Sequence, residues 1–245
     1  MSSLLLVRHG QASFGSADYD RLSPLGEEQV TLLQAHFART GQPIDAIYSG
    51  ALRRQRSTAE IIERSAGCGI TTLPAFNEYA ADPLLKRHTA LTGAPLAALA
   101  DAGADAGADA GGAAGAAAGG AAAPRNFRRQ LEALGAAWVN GELEHPQLES
   151  WKAFAGRVAE GLEAVMAREG RSRQIVISTS AGVIGAALAH VLGLDGHGAL
   201  RLSWMALNSS VTRIRYAGNR RSLESFNAVA HLEREDQPRR LLTYL

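Results

Sequence analysis

Short runs of aliphatic residues alternate along this chain with longer segments in which apolar residues recur every three or four positions. Four of these runs, residues 4–7, 46–49, 70–73 and 174–179, have the length and composition of buried strands, and the last two are rich in β-branched residues. Strands that alternate with helices are typical of βα units. The sequence therefore predicts an α/β fold with a mainly parallel sheet.

The segments between these runs have the period of amphipathic helices. After the first run, Ser23 and Pro24 mark a helix start, and Val30, Leu33 and Phe37 follow at spacings of three and four. Two further helical segments, 52–67 and 150–170, each end in a glycine. Near the end of the sequence, residues 211–216 and 222–226 are joined by the turn AGNRR and predict a β-hairpin.

One segment differs from the rest in composition. Residues 101–124 contain only Ala, Gly and Asp before a final Pro. Side chains this small bury too little apolar surface to offset the entropy of ordering, and each Gly opposes helix formation by about 1 kcal/mol relative to Ala. We therefore expect a flexible surface insertion at about 101–124 within a single domain of residues 1–245.

Charge and cysteine content exclude several classes of partner. The chain has 25 basic and 24 acidic residues, so no overall charge attracts nucleic acid or an anionic membrane, and we expect neither as a partner. One cysteine, Cys68, allows no intrachain disulfide, and the scattered histidines lack metal-ligand spacing. The N-terminal apolar run is too short for a signal peptide or a membrane span. We expect a cytoplasmic protein with no metal and no cofactor.

Basic side chains follow two of the predicted strands. Arg8 and His9 come directly after the first, and Arg53 or Arg54 comes soon after the second. Ligands of open α/β sheets bind outside the carboxyl ends of the strands, so these side chains are expected to converge. Arginine can donate two parallel hydrogen bonds to phosphate oxygens, and Gly10 permits a tight turn with backbone amides near an anion. The sequence predicts a phosphate-binding site.

Two motifs resemble a known family. LLLVRHGQAS resembles the Arg-His-Gly signature of the histidine phosphatase superfamily, and SGALRRQRSTAE resembles its second motif. The resemblance extends through LSPLGEEQ, FNEY and TSAGVIGAALAHVLGL to NSSVT. It implies the three-layer α/β/α fold of the phosphoglycerate mutase-like proteins, with a mainly parallel central sheet. Matching Thr58 to the family's Thr-Ala-Glu implies that Arg54 binds phosphate and that Arg53 and Arg56 are solvated.

The resemblance also implies a mechanism and a ligand. His9 would carry a phosphohistidine intermediate, and Arg8 and Arg54 would bind the phosphoryl oxygens. Glu78, in FNEY, is the expected catalytic general acid, with Asp82 as a competing candidate. The expected partner is a small phosphorylated substrate or inorganic phosphate.

The sequence departs from the family pattern in two places. Where the family usually has a second histidine after the fourth strand, TSAGVI places Ser180, which becomes a candidate phosphate-binding residue with a single hydroxyl donor. Losing a donor to a developing anion costs about 3 to 4 kcal/mol, which predicts reduced or altered activity. His231 is a candidate replacement, although we interpret it as a packing residue. The family's polar residue beyond the nucleophile is replaced by Gly15; the candidate substitutes are Gln11, Ser13 and Ser16.

Three functions follow from these residues. The first is a phosphoric-ester hydrolase that acts through His9. The alternative is a catalytically weak or inactive protein that binds a phosphorylated ligand. A phosphoglycerate mutase ranks third, because returning the phosphoryl group to a second hydroxyl requires a complete catalytic set, and Ser180 counts against one. The sequence leaves the substrate and the oligomeric state open.

Overall fold

The computed structural model describes residues 2–13, 20–93, 122–233 and 240–244, with side chains undescribed at 122–130. Residues 101–121 of the predicted Ala/Gly-rich insertion at 101–124 lie outside the described residues. Its last three residues, 122–124, form the start of a helix.

A six-stranded mixed sheet lies at the centre of the protein. The strands are β1 (Ser2–Arg8), β2 (Ala46–Ser49), β3 (Ile70–Thr72), β4 (Gln174–Thr179), β5 (Val211–Ala217) and β6 (Arg220–Ala228). Their order across the sheet is β3-β2-β4-β1-β5-β6. The first four are parallel, and β5 pairs antiparallel with both β1 and β6. The four predicted strands and the predicted hairpin are confirmed.

Seven α-helices lie within the described residues. They are α1 (Pro24–Arg39), α2 (Arg53–Ala66), α3 (Ala81–Thr92), α4 (Ala122–Val139), α5 (Trp151–Glu169), α6 (Ala181–Leu192) and α7 (Gly196–Met205). Ser23 caps α1 by accepting a hydrogen bond from the Gly26 amide at 3.0 Å, as the sequence predicts. Gly67 ends α2 with φ at 64°, a conformation that favours glycine. None of these seven has the length and apolar composition to cross a bilayer.

The helices cover both faces of the sheet, because successive side chains of a strand point in opposite directions. Leu5 and Val7 of β1 belong to a cluster that includes the apolar stripes of α1 and α2. Leu4 and Leu6 belong to a second cluster with residues of α4, α5 and α6. The predicted three-layer α/β/α fold is therefore present.

Four segments of interest leave the sheet at the carboxyl ends of the parallel strands. His9 follows β1, and Ser180 follows β4, which pairs directly with β1. Arg54 lies in the first turn of α2, after β2. Glu78 follows β3 and a short 3-10 turn at Pro74–Phe76. The topology thus brings together the strand ends that the sequence singles out.

Candidate active site

The ring of His9 is buried and held in one tautomer. Its Nδ1 lies 2.7 Å from the carbonyl oxygen of Gly10, and its Nε2 lies 3.1 Å from the Nε of Arg54. A carbonyl only accepts and a guanidinium only donates, so Nδ1 carries the proton and Nε2 presents its lone pair. His9 therefore has an unprotonated ring nitrogen at the carboxyl end of β1.

The surroundings of His9 favour its neutral form. Burial lowers the pKa of His9 well below its ordinary value, and the positive charges of Arg54 and Arg8 lower it further. The hydrogen bond to the Gly10 carbonyl opposes this shift. A neutral imidazole is the form that can act as a nucleophile.

Gly10 lies in close contact with the start of α1. A Cβ at Gly10 would overlap the carbonyl oxygen of Gly26 and would lie 2.9 Å from a methyl carbon of Val30, so glycine is required for the close approach of α1. The Gly10 amide donates to the Thr58 hydroxyl at 3.2 Å. The Gly10 amide is therefore paired with Thr58 and is not itself one of the backbone amides that could face an anion.

Two buried arginines lie at the same end of the sheet. Arg54 contacts His9 through Nε and donates from a terminal nitrogen to Asp20 at 2.7 Å. The second carboxylate oxygen of Asp20 accepts from the Arg53 amide at 2.8 Å. The Arg8 guanidinium donates to the carbonyl of Ala206. Arg53 and Arg56 are exposed, so Arg54 is the arginine of its motif that reaches His9.

The carboxyl group of Glu78 lies at the N-terminus of α6. It accepts hydrogen bonds from the amides of Gly182 at 2.9 Å and Tyr79 at 3.1 Å. The residue as a whole is partly exposed, yet burial of its carboxyl group raises the pKa of Glu78. The Gly182 amide and the charges of Arg54 and Arg8 oppose the shift, which places Glu78 within the field of both arginines. Asp82 is exposed in α3.

Arg157 of α5 holds the turn that precedes Glu78. Its terminal nitrogen NH1 donates to the carbonyls of Ala75 and Asn77, both at 2.9 Å. Its other nitrogens form two hydrogen bonds with the carboxylate of Glu149, at 2.6 and 3.0 Å. This paired guanidinium fixes the backbone from which Glu78 projects.

Ser180 is buried at the start of α6, but its side chain does not cap that helix. Its Oγ instead accepts a hydrogen bond from the side-chain amide of Gln55 at 2.8 Å. The same amide nitrogen donates to the carbonyl of Phe76 at 3.0 Å. Gln55 thus connects α2, the turn before Glu78 and the residue after β4.

The other histidines in the described residues lie elsewhere. His231 contacts the Ser209 hydroxyl at 2.9 Å, and its ring centroid lies 6.2 Å from that of His36. Burial lowers the pKa of His231 to about 4. His190 pairs with Glu163 on the surface. His231 is therefore packed between Ser209 and His36, which agrees with the interpretation of His231 as a packing residue.

Gln11 and Ser13, two of the candidate substitutes for the polar residue beyond His9, have local partners. The side chain of Gln11 accepts from the Ser23 hydroxyl at 2.9 Å, and the Ser13 hydroxyl donates to the carbonyl of Leu22. Gly15 and Ser16 lie outside the described residues. Within the part of the chain that the structure describes, no group of three or more His, Cys, Asp or Glu residues is arranged to hold a metal ion.

Four residues of this region were not identified from the sequence: Asp20, Gln55, Thr58 as the acceptor for Gly10, and Arg157. Each acts through contacts between segments that are far apart in the chain, and apart from the motif position of Thr58 none carries a local signal. Gln55, for example, lies within LRRQRSTAE, where its neighbours predict a solvated helix face.

A model of the histidine phosphatase superfamily (branch 1) matches residues 4–107 and 120–229. The chain belongs to this superfamily.

Proteins similar to this histidine phosphatase superfamily member include a probable mutase and two phosphatases. The probable phosphoglycerate mutase GpmB of Shigella boydii serotype 18 (strain CDC 3083-94 / BS512) is 28% identical over 225 residues, which span 88% of this chain and 86% of that protein. Phosphoserine phosphatase from Entamoeba histolytica, in complex with 3-phosphoglyceric acid, has a TM-score of 0.61 at 16% identity and covers 95% of this chain and 100% of its own.

A mycobacterial glucosyl-3-phosphoglycerate phosphatase with inorganic phosphate has a TM-score of 0.57 at 24% identity, over 94% of this chain and 98% of its own. At these identities, the likeness of the two solved structures to this chain shows a shared fold.

Proposed function

We propose that this protein hydrolyses small phosphomonoesters through a phosphohistidine intermediate on His9. The observation that carries the proposal is the unprotonated Nε2 of His9, which is fixed by the Gly10 carbonyl and lies beside the Arg54 guanidinium. A neutral nucleophile next to a permanent cation suits attack on a phosphoryl group, because the cation stabilises charge on the phosphoryl oxygens while the lone pair forms the new bond.

In the first step, the Nε2 lone pair attacks phosphorus in line with the ester oxygen, and the ester P–O bond breaks. The departing alkoxide takes a proton from the carboxyl group of Glu78, whose raised pKa favours the protonated form. Arg8 and Arg54 bind the phosphoryl oxygens, with a further hydrogen bond from Ser180 in place of the family's second histidine.

In the second step, water attacks the phosphohistidine and the P–N bond breaks. Glu78, now a carboxylate, takes a proton from that water, and inorganic phosphate is released. His9 returns to its neutral form with its proton still on Nδ1. The cycle therefore needs no metal, no cofactor and no second acceptor for the phosphoryl group.

The alternative function is binding of a phosphorylated ligand with little or no turnover. The specific observation in its favour is Ser180, since a hydroxyl donates one hydrogen bond and cannot become cationic. The name of the Shigella relative raises a third candidate, phosphoglycerate mutase activity. A mutase must retain the phosphoryl group for transfer to a second hydroxyl, so it releases little free phosphate.

A phosphate-release assay tests the hydrolase, and phosphate binding and interconversion of phosphoglycerate isomers test the other two functions. Release of inorganic phosphate is measured from p-nitrophenyl phosphate, phosphoserine and 3-phosphoglycerate, for the wild type and for His9→Ala. We expect turnover by the wild type and a loss of about 10³-fold or more in His9→Ala. His190→Ala, which removes a surface contact with Glu163, is the control and should retain activity.

Saturable phosphate binding without turnover would favour the binding protein. Interconversion of phosphoglycerate isomers without phosphate release would favour the mutase. Turnover that survives in His9→Ala would contradict the proposed mechanism.

A further inference from the structure

We infer that Gln55 is a positioning residue that directs the hydroxyl proton of Ser180 toward the phosphoryl group, so that the two residues form one donor unit. The inference rests on the proposed function, since the unit acts on a phosphoryl group. It assigns a role to a buried helix residue that the reaction steps above do not use.

The orientation of the Gln55 amide is set by its neighbours. Both protons of its NH₂ group are donated, one to the carbonyl of Phe76 at 3.0 Å and one to the Oγ of Ser180 at 2.8 Å. Its oxygen accepts from the Leu52 amide at 3.3 Å. A flipped amide would place that oxygen against the Phe76 carbonyl and its NH₂ against a donor. Gln55 can therefore only donate to Ser180.

This constraint determines what the Ser180 hydroxyl can do. A hydroxyl has one proton, and because Gln55 donates to its oxygen, that proton must go to a different acceptor. Among the described residues, the Ser180 side chain forms no hydrogen bond besides the one that it accepts from Gln55. The Ser180 oxygen does not accept from the amides of α6 either, since the Gly182 amide donates to Glu78. The proton is thus available to an incoming ligand.

Ser180 lies beside the proposed nucleophile. Arg8 and Thr179 are register partners in the pairing of β1 with β4, and the His9 amide donates to the Thr179 carbonyl at 2.9 Å. Ser180 is the next residue after Thr179. An anion held by His9 and Arg54 would therefore be an acceptor at the same end of the sheet as the Ser180 hydroxyl.

The space around Ser180 also explains why a histidine is not interchangeable with it. An imidazole at position 180 would extend past the place of Oγ, where the Gln55 nitrogen lies only 2.8 Å away. Moving the Gln55 amide aside would break its hydrogen bonds with the Phe76 carbonyl and the Leu52 amide. Ser180→His alone should therefore lower turnover, and Gln55→Ala should relieve the collision.

The test is a double-mutant cycle with Gln55→Leu, Ser180→Ala and the double variant, read out as kcat and KM on p-nitrophenyl phosphate and as affinity for inorganic phosphate. Leucine keeps most of the volume of glutamine, and the Phe76 carbonyl retains a hydrogen bond from the Thr179 hydroxyl at 2.8 Å. We expect each single variant to lose about 10- to 100-fold in kcat, and the double variant to lose no more than the worse single.

Ser178→Ala is the matched control, since it removes a nearby buried hydroxyl, in β4, that donates to the backbone carbonyl of Gln55. It tests for a purely structural effect, and we expect a smaller loss of kcat than in Ser180→Ala. Losses in Gln55→Leu and Ser180→Ala that multiply in the double variant would overturn the inference.

A second comparison does not depend on how Gln55→Leu folds. Ser180→His should be less active than the wild type, and Gln55→Ala combined with Ser180→His should be more active than Ser180→His alone. Higher turnover in Ser180→His alone would overturn the inference. If the wild type binds phosphate without turnover, the proposed function fails. The inference is then tested by the phosphate affinities of the two single variants and the double variant. If the wild type does neither, both fail.

Discussion

The Nε of Arg54 donates a hydrogen bond to the Nε2 of His9 over 3.1 Å, so the lone pair of the proposed nucleophile already accepts a hydrogen bond from a cation. Arg54 is also paired with the carboxylate of Asp20. A phosphoryl group entering the site offers oxygens that can replace His9 as the acceptor for Arg54. Binding of the anion would thereby release the His9 lone pair for attack.

This arrangement predicts a large effect of replacing Arg54 with lysine. Lysine keeps the charge but lacks the planar fork that can contact His9, Asp20 and a phosphoryl oxygen together, so Arg54→Lys should lower kcat/KM by about 10²- to 10³-fold. Steady-state kinetics on p-nitrophenyl phosphate measure it. The control is Arg56→Lys on the exposed face of α2, and equal activity in the two variants would contradict a role for Arg54.

The pKa shifts predict the shape of the pH profile. The nucleophile must be neutral, so activity falls at acidic pH as His9 becomes protonated. Because the pKa of His9 is lowered, this fall occurs at a pH below the ordinary pKa of histidine. The general acid must be protonated, so activity on an alkyl phosphate falls at higher pH as Glu78 loses its proton. Because the pKa of Glu78 is raised, this fall occurs at a pH above the ordinary pKa of glutamate. The profile of kcat/KM on phosphoserine measures both limbs.

Glu78→Gln should remove the basic limb and slow an alkyl phosphate by about 10²- to 10⁴-fold, with a smaller effect on p-nitrophenyl phosphate, whose leaving group needs little protonation. Asp82→Asn, at the exposed competing residue, is the control. A basic limb that persists in Glu78→Gln and disappears in Asp82→Asn would assign the general acid to Asp82.

Arg157 should matter to both stability and catalysis. Replacing it with methionine leaves the carbonyls of Ala75 and Asn77 without their shared donor, which should lower the free energy of unfolding by about 2 to 4 kcal/mol. Because the turn positions Glu78, turnover of phosphoserine should fall more than that of p-nitrophenyl phosphate. Arg168→Met, at an exposed position of α5, is the control. Equal losses on both substrates would show that Arg157 does not act through Glu78.

Gly10 should be intolerant of even a methyl group. In Gly10→Ala the new carbon overlaps the Gly26 carbonyl, so α1 or the end of β1 must shift, and we expect a loss of about 1 to 3 kcal/mol in the free energy of unfolding. Urea denaturation measures it. Gly156→Ala is the control, since its Cβ has no neighbour within 4 Å, and this variant should be as stable as the wild type or more so.

Local sequence patterns were sufficient to predict most of the sheet. The aliphatic run 4–7 became β1 because its alternate side chains enter two different clusters, and Val30, Leu33 and Phe37 of α1 are buried as their spacing predicts. His9 and Arg54 could be identified because each follows a strand within a recognisable motif. In each case the deciding information lies within a few residues of the chain.

The support for these groups could not be predicted in the same way. Gln55 lies in a strongly polar segment, yet it is fully buried because its amide joins three segments that meet only in the fold. The role of Gly10 depends on α1, which packs against it from residues further along the chain. Such long-range contacts leave no periodic signal in the sequence.

The central claim is that His9 forms a covalent bond to the transferred phosphoryl group. The most direct measurement is acid–base analysis of the adduct trapped by rapid denaturation during turnover of ³²P-labelled phosphomonoester, followed by peptide mapping. We expect label that survives base, is lost in acid and maps to the peptide containing His9, with none in His9→Ala. Steady turnover with no trapped label, or label that maps to another residue, would contradict the account.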